Sequence, residues 1–83
     1  MYYVYMLRCG DGSLYSGITT DLDRRLKAHN SGKGAKYTRS RLPVSLAYFE
    51  EAADRSQASK RECELKKLTR EKKEALVKNF TRL

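Results

Sequence analysis

The chain has 83 residues, enough for one domain over residues 1–83 with a single small hydrophobic core. It carries 18 Lys and Arg against 10 Asp and Glu, so its formal net charge is +8. No apolar run approaches the roughly 20 residues that cross a bilayer, which excludes a membrane-spanning helix. Cys9 and Cys63 show no CxxC spacing, so neither a disulfide framework nor a zinc site is expected, and a reducing, cytoplasmic location is favoured.

Two strands joined by a hairpin turn are predicted first, over residues 2–9 and 14–19, with Gly10-Asp11-Gly12-Ser13 between them. Tyr5 lies on the first strand and Tyr15 on the second. A two- or four-residue loop would place these phenols on opposite faces of the sheet, whereas an odd loop or a bulge would place them on the same face. If Tyr5 and Tyr15 share a site, the turn must be odd or bulged.

Helices and one more strand follow. A Thr-Asp cap begins a helix that runs to about residue 30 and ends at an Asn-Ser-Gly sequence. A basic loop over residues 32–43 precedes a third strand over residues 44–51, in which regular alternation would put Leu46 and Tyr48 on one face. Two further helices are predicted, over residues 54–68 and from residue 69 on. The expected fold class is α+β, a three-stranded, mainly antiparallel sheet flanked by helices in the order β-β-α-β-α-α.

Glu62 interrupts an apolar helix stripe. It lies between Ala58 and Leu65 at an i, i+4, i+7 spacing, so one helix face carries all three residues. A carboxylate in that position loses hydration, which is costly unless it is paired or bound to a cation. One interpretation is an ion pair with Lys66 at i+4. The other is a ligand for Mg²⁺ or Mn²⁺, since magnesium takes one or two protein carboxylates and keeps water or phosphate oxygens.

Arg25 poses the same question on the first helix, where it shares a face with Leu22, Leu26 and His29. Its stem could simply cover apolar surface. Alternatively, the guanidinium could hold a phosphate oxygen and stabilise the charge of a transition state. A structural role is the default for His29, and its position one turn after Arg25 also allows proton transfer or a phosphate contact.

Tyr15 is followed by Ser16-Gly17, and a glycine inside a strand indicates that another group approaches the backbone closely. This Tyr-x-Gly lies ten residues after Tyr5, and Arg25 lies ten residues further on. A phenol with a pKa of ~10 is a poor base at neutral pH unless a nearby cation assists it. Arg25 could provide that cation.

The loop after the first helix is basic, and every charged residue from Arg24 to Arg41 is Lys or Arg. A field of one sign favours phosphates as partners. The loop combines cationic side chains with one aromatic ring, which suits a surface that follows a nucleic-acid backbone with one stacking position; equally, it could be a solvated, mobile loop. The candidate nucleic-acid-binding residues are Lys33, Lys36, Tyr37, Arg39 and Arg41.

Taken together, these motifs resemble the GIY-YIG endonuclease domain over nearly the whole chain. The first motif appears as Tyr3-Val4-Tyr5 and the second as Tyr15-Ser16-Gly17, followed by the helical Arg25 and by Glu62. The stretches His29-Asn30-Ser31-Gly32 and Ala35-Lys36-Tyr37-Thr38 look like the small stand-alone bacterial members of the family.

The resemblance implies a nuclease that uses one Mg²⁺ or Mn²⁺ ion. Tyr5 or Tyr15 would activate a water, Arg25 would steady the phosphate and Glu62 would hold the metal, with His29 and Gly17 in support. The expected substrate is DNA, including structured or damaged DNA in repair or recombination. Two alternatives remain: a non-catalytic nucleic-acid-binding module, or an interaction subunit that docks an acidic protein. An 83-residue chain has little surface for sequence selection, so a homodimer or a protein partner could supply it.

Overall fold

The computed structural model describes residues 1–81; residues 82–83 of the predicted domain lie outside the described residues. Within residues 1–81 the elements are β1 (Tyr2–Arg8), β2 (Leu14–Thr19), α1 (Leu22–Asn30), α2 (Lys36–Arg39), β3 (Ser45–Ala52), α3 (Arg55–Lys67) and α4 (Arg70–Thr81). The strands form one antiparallel sheet in the order β2-β1-β3. The predicted α+β class and the order β-β-α-β-α-α are confirmed, and the one-turn helix α2 is an addition within the basic loop.

The hairpin between β1 and β2 has an odd loop. The amide of Cys9 donates to the Ser13 carbonyl (2.9 Å), which leaves residues 10–12 as the loop, and Gly12 adopts the left-handed φ of 86° that closes it. In the resulting register Leu7 pairs with Tyr15, and Tyr5 pairs with Gly17. Directly paired residues point to the same face, so the two phenols share one face of the sheet, as an odd loop requires.

The sheet separates two small apolar clusters. On one face, Val4 packs with Ala58 and Leu65 of α3, and all three side chains are fully buried. On the other face, Tyr5 and Leu7 pack with residues that include Leu22 and Leu26 of α1. Arg25 and His29 are thereby carried to the same face as the two tyrosines. None of the helices within residues 1–81 is long and apolar enough to cross a membrane.

A bulge in β3 changes the predicted faces of that strand. Met6 pairs with Tyr48, but the next residue, Leu7, pairs with Leu46, so Ala47 has no partner of its own. The extra residue shifts the alternation by one. Leu46 therefore lies with Tyr5 and Leu26, while Tyr48 packs on the cluster that contains Val4. The prediction that Leu46 and Tyr48 share a face was wrong.

The predicted helix ends are confirmed. Asp21 caps α1 by accepting a hydrogen bond from the Arg24 amide (3.1 Å), and Gly32 follows its last turn with a φ of 82°. Asp54 caps α3 by accepting from the Gln57 amide (2.8 Å). The fixed start of α1 determines which of its side chains face the sheet.

Helix α4 is tied to the hairpin by charged groups. The Arg8 guanidinium donates two hydrogen bonds of 2.6 Å each to the carboxylate of Glu74. Arg8 and Arg70 both donate to the carbonyl of Gly12 (3.0 and 3.2 Å). Bidentate contacts between arginine and a carboxylate are among the stronger polar contacts in proteins, so they hold the C-terminal helix against the turn that sets the register.

Candidate active site

The ring of Tyr5 lies across Gly17, its partner on β2. A Cβ atom at position 17 would be only 2.6 Å from Tyr5 Cζ, which is closer than such atoms can approach. The glycine predicted to allow a close approach therefore admits the phenol of Tyr5 itself. The ring is held between the strand pair and α1, and Tyr5 is only 2% exposed.

The Tyr5 hydroxyl connects two residues of α1. Arg25 Nε donates a hydrogen bond to Tyr5 Oη (3.3 Å), and Tyr5 Oη lies 3.0 Å from His29 Nε2. The side chain of Arg25 makes no other hydrogen bond within residues 1–81, so its two terminal Nη groups are free to bind an anion. Arg25 and His29, which were predicted to share one face of the helix, are joined through the phenol oxygen of Tyr5.

The other ring nitrogen of His29, Nδ1, contacts a residue of the basic loop. His29 Nδ1 lies 2.8 Å from Thr38 Oγ1, and that hydroxyl donates to the Ala35 carbonyl (3.0 Å). His29 and Thr38 are both completely buried. A chain of polar contacts therefore runs from Arg25 through Tyr5 and His29 to the backbone of the loop.

Burial and charge determine the protonation states of Tyr5 and His29 in this series of polar contacts. Burial raises the pKa of Tyr5; Arg25 opposes the shift through its hydrogen bond and charge, while the charges of Tyr15 and Glu62 add to it. Burial, and then the positive charge of Arg25, lowers the pKa of His29. Tyr5 is therefore a neutral phenol and His29 a neutral imidazole near pH 7. Tyr15 packs on His29 and so lies beside the Tyr5–Arg25 pair, and the negative charge of Glu62 also contributes to the raised pKa of Tyr5.

Tyr15 differs from Tyr5 in exposure. It is half-buried, and its hydroxyl makes no hydrogen bond with any residue of the described chain. Its ring packs edge-on against His29 (centroids 5.5 Å apart) and stacks on Tyr37 (5.8 Å). The Arg41 guanidinium lies over the Tyr37 ring, with Cζ 3.9 Å from the ring centroid. Water can reach the Tyr15 hydroxyl more readily than that of Tyr5.

Glu62 lies at the edge of the buried face of α3. Its neighbours on that face, Ala58 and Leu65, are fully buried, whereas the Glu62 side chain is 21% exposed. The predicted contact with Lys66 is present, with Nζ 3.7 Å from Oε1. A pair of that length with an exposed lysine is weak, so the carboxylate remains available to a cation.

Glu62 offers one partly exposed carboxylate to a hydrated Mg²⁺ or Mn²⁺ ion. Among residues 1–81, no three His, Cys, Asp or Glu side chains form a group that could hold a metal on their own. Magnesium does not need such a cage, since it binds through one or two carboxylates and keeps water or phosphate oxygens as further ligands. Glu62 would provide the one protein ligand.

The basic loop divides into two groups of residues. Lys33, Lys36 and Arg39 are exposed and project from the surface. The Arg41 side chain is instead bonded within the protein. Its Nε donates to Asp11 of the hairpin loop (3.0 Å) and its Nη1 to the Tyr37 carbonyl (2.8 Å). The loop has a defined conformation, and its ring at Tyr37 is already stacked against Tyr15.

Two residues of the site were not identified from the sequence as site residues. Thr38 bonds to His29, and Gly34 packs so closely on the His29 ring that a Cβ there would collide with Nδ1. In the sequence, only two features mark these residues: Gly34 directly precedes Ala35, and Thr38 lies three residues after Ala35. Only the tertiary position of His29 gives these signals their meaning.

The model of the GIY-YIG catalytic domain matches residues 1–75. The chain belongs to the GIY-YIG family. Domains of this family are nuclease domains that act on DNA. The chain is 54% identical to a UPF0213 protein of Haloquadratum walsbyi, over 96% of this chain and 90% of that protein. It is 56% identical to a UPF0213 protein of Streptococcus sanguinis, over 95% of this chain and 91% of that protein.

Two solved structures resemble the fold. The solution NMR structure of a UPF0213 protein from Bacillus halodurans shares 53% identity, covers 94% of this chain and 84% of its own, and superimposes with a TM-score of 0.59. A second, from a protein of E. faecalis, shares 49% identity, covers 99% of this chain and 88% of its own, and gives a TM-score of 0.63. The relatives are small stand-alone members of the family.

Proposed function

We propose that this chain is a divalent-metal-dependent endonuclease that hydrolyses phosphodiester bonds of DNA, with structured or damaged DNA in repair or recombination as its setting. The observation that carries the proposal is the phenol of Tyr5, which joins Arg25 to His29 in a nearly closed interior. This places a phenol between a cation and a proton acceptor, as general base catalysis requires. Family membership supports the reaction class.

Substrate binding begins with Arg25. Its Nε is occupied by Tyr5, which orients the guanidinium and leaves the Nη groups for a non-bridging phosphate oxygen. Charge-assisted hydrogen bonds of this kind strengthen as negative charge builds up on the phosphorane in the transition state. The exposed cations Lys33, Lys36 and Arg39 lie on the loop that follows α1 and would contact flanking phosphates.

The attacking water is deprotonated by the tyrosine pair. Tyr15 is half-buried and its hydroxyl has no partner in the described chain, so water can bind there, and Tyr5 has a proton acceptor in place. When Tyr5 Oη takes a proton from water, its own proton passes to His29 Nε2, and an imidazolium forms. The hydroxide attacks phosphorus, the bond to the leaving oxygen breaks, and that oxygen takes up a proton from solvent water. His29 then returns its proton through Tyr5 Oη to solvent, which restores the neutral pair.

Glu62 would hold the Mg²⁺ or Mn²⁺ ion together with waters and a phosphate oxygen. When bound, the ion would offset negative charge on the scissile phosphate and the leaving oxygen. The environment of Glu62 supports this role, since its carboxylate is partly exposed and only weakly paired with Lys66.

Location and partners follow from the surface. Both cysteines are free and Cys63 is exposed, as suits a reducing compartment such as the cytoplasm. The exposed cations of the loop favour DNA over an acidic protein, because they flank the face that carries Arg25 and the tyrosines. A homodimer or a protein partner would add the selectivity that so small a surface lacks.

The test is a cleavage assay on plain, nicked and branched DNA, and on RNA, with Mg²⁺ or Mn²⁺ against EDTA. Arg25→Ala should abolish metal-dependent cleavage. Arg24→Ala is the matched control, since Arg24 is an exposed neighbour on α1, and it should leave most of the activity. DNA binding without cleavage by the wild-type protein would favour the non-catalytic module instead.

Tyr5→Phe and Tyr15→Phe separate the two phenols. Tyr5→Phe removes a buried hydroxyl with two partners, so it should lower both the unfolding free energy and kcat. Tyr15→Phe removes a hydroxyl without a partner in the described chain, so it should lower kcat alone.

A further inference from the structure

Thr38 has no place in the reaction described above, yet it is completely buried and its hydroxyl is bonded on two sides. A threonine hydroxyl has one proton to donate, and the carbonyl of Ala35 can only accept. The Ala35 carbonyl also accepts from the Arg39 amide (3.1 Å), and with the proton of Thr38 directed to this carbonyl the oxygen of Thr38 accepts from His29 Nδ1. The ring proton of neutral His29 must then be on Nδ1.

The tautomer of His29 decides what Tyr5 can do. With the proton on Nδ1, Nε2 is an acceptor for the Tyr5 hydroxyl, and the phenol oxygen accepts from Arg25. With the proton on Nε2, the phenol oxygen would face two donors, and its own proton would have no acceptor. Only the first arrangement satisfies every group in this buried chain.

We propose that Thr38 is a positioning residue of the active site, whose hydroxyl selects the Nδ1–H tautomer of His29 and so directs Tyr5 to Nε2 and Arg25 to Tyr5. The inference deepens the proposed nuclease function, and its kinetic part rests on that function. Thr38 does not touch the substrate, and it acts through His29.

The backbone around Thr38 supports this role. Gly34 lies against the His29 ring on the side of Nδ1, where a Cβ would collide with the ring. This close packing leaves Thr38 as the partner of that nitrogen. The same short segment carries Lys36 and Arg39, so the loop that would contact DNA also holds the proton acceptor in its working form.

The first test reads the tautomer directly and needs no activity. The chain has a single histidine, so selective ¹⁵N-histidine labelling gives NMR signals of His29 alone. The two ring nitrogens of a neutral imidazole have distinct shifts and couplings. We expect the proton on Nδ1 in the wild type and in Thr38→Ser, which keeps the hydroxyl. Thr38→Val, which keeps the shape and loses the hydroxyl, should shift the population toward Nε2–H.

Two results would overturn the inference: a wild-type protein with the proton on Nε2, or a Thr38→Val protein that keeps the pure Nδ1–H form. If Thr38→Val does not fold, Tyr5→Phe takes its place. That variant removes the partner of Nε2 and keeps Thr38, so the proton should stay on Nδ1. If the ring proton of His29 moves to Nε2 in Tyr5→Phe, then Tyr5 selects the tautomer, and the role of Thr38 is refuted.

The second test is kinetic. Thr38→Val should lower kcat at least about tenfold, while KM for a duplex substrate stays within about threefold of the wild type. Thr38→Ser should restore most of kcat. Wild-type kcat in folded Thr38→Val would refute the inference and leave the nuclease proposal intact. Failure of the wild-type protein to cleave any substrate would refute the proposed function and with it the kinetic part, while the nitrogen signals would still decide the tautomer.

Discussion

Gly17 lies directly beneath the ring of Tyr5, its partner across the two antiparallel strands. The pairing brings the phenol over the backbone of β2 instead of over a side chain. From there its hydroxyl contacts both Arg25 and His29 of α1. The absence of one methyl group at position 17 is thus what lets a residue of β1 reach the helix on this face.

Gly17→Ala tests whether the position of the Tyr5 ring matters for cleavage as well as for stability. The new Cβ forces the Tyr5 ring to move, so we expect a loss of about 1–3 kcal/mol in unfolding free energy, as in other overpacked sites. A shift of about 1 Å at the phenol should lower kcat about 100-fold. Denaturant unfolding and single-turnover cleavage measure the two effects.

Ser16→Ala is the matched control for that substitution. Ser16 is the neighbour of Gly17, points to the opposite face, and is buried with an Oγ that has no hydrogen-bond partner among the described residues. Removing this hydroxyl should leave the unfolding free energy unchanged or slightly higher, and cleavage should be unaffected. Equal kinetic losses in the two variants would contradict a specific role for Gly17.

Glu62→Gln should abolish metal-dependent cleavage while DNA binds with an affinity within about threefold of the wild type, since no positive charge is lost. Glu64→Gln is the control, because Glu64 is an exposed carboxylate on the same helix that pairs with Arg61. Cleavage and DNA affinity are measured on the same preparations. Full activity of Glu62→Gln would rule out a mechanism with one carboxylate ligand.

The exposed cations of the basic loop should appear in the salt dependence of binding. If Arg25 and the loop neutralise about four phosphates, log K should fall with log salt with a slope of about −3 to −4. Replacing Lys36 and Arg39 by Ala should reduce the magnitude of that slope by up to about two. Fluorescence anisotropy over a salt series measures it.

The control for the loop is a pair of exposed lysines elsewhere, Lys67 of α3 and Lys72 of α4. Their replacement by Ala removes the same charge and should leave the slope nearly unchanged. The reverse pattern, in which these lysines change the slope and the loop does not, would place DNA on the C-terminal helices.

The lowered pKa of His29 predicts how stability depends on pH. The folded state releases the proton of His29 more readily than the unfolded chain, whose pKa is about 6.5. Between the two values the unfolded state binds more protons, so the unfolding free energy should fall as the pH is lowered from about 7 through the folded pKa. Denaturant unfolding at several pH values measures this slope.

His29→Gln should remove that slope, because it is the only histidine in the chain. The carboxylates of Asp11, Glu50 and Glu74, whose pKa values are lowered by hydrogen bonds and by arginine neighbours, affect stability only at lower pH. A variant with an undiminished slope between about pH 5 and 7 would show that another group titrates in this window.

Local signals in the sequence predicted much of this fold. Asp21 and Asp54 each cap a helix by accepting from an amide three residues further along the chain, so a short stretch of sequence predicts them. The odd number of residues in the hairpin loop follows from the condition that Tyr5 and Tyr15 lie on the same face of the sheet. The bulge at Ala47 was missed because it is decided by pairing with β1, and nothing within β3 indicates it. Thr38 was missed for a similar reason, since its partner His29 comes from another helix.

The order of strands in the sheet has a consequence for synthesis. β1 is the central strand, and its outer neighbours are made after it: β2 at once, and β3 only when residues 45–52 follow. Glu62 comes later still, and Glu74, which fastens Arg8, lies 66 residues beyond it in the chain. A ribosome-bound chain can pair β1 with β2 early but cannot bring Glu62 to the tyrosines until α3 has emerged. The site that we propose for cleavage would therefore be completed late in synthesis, after the sheet has formed.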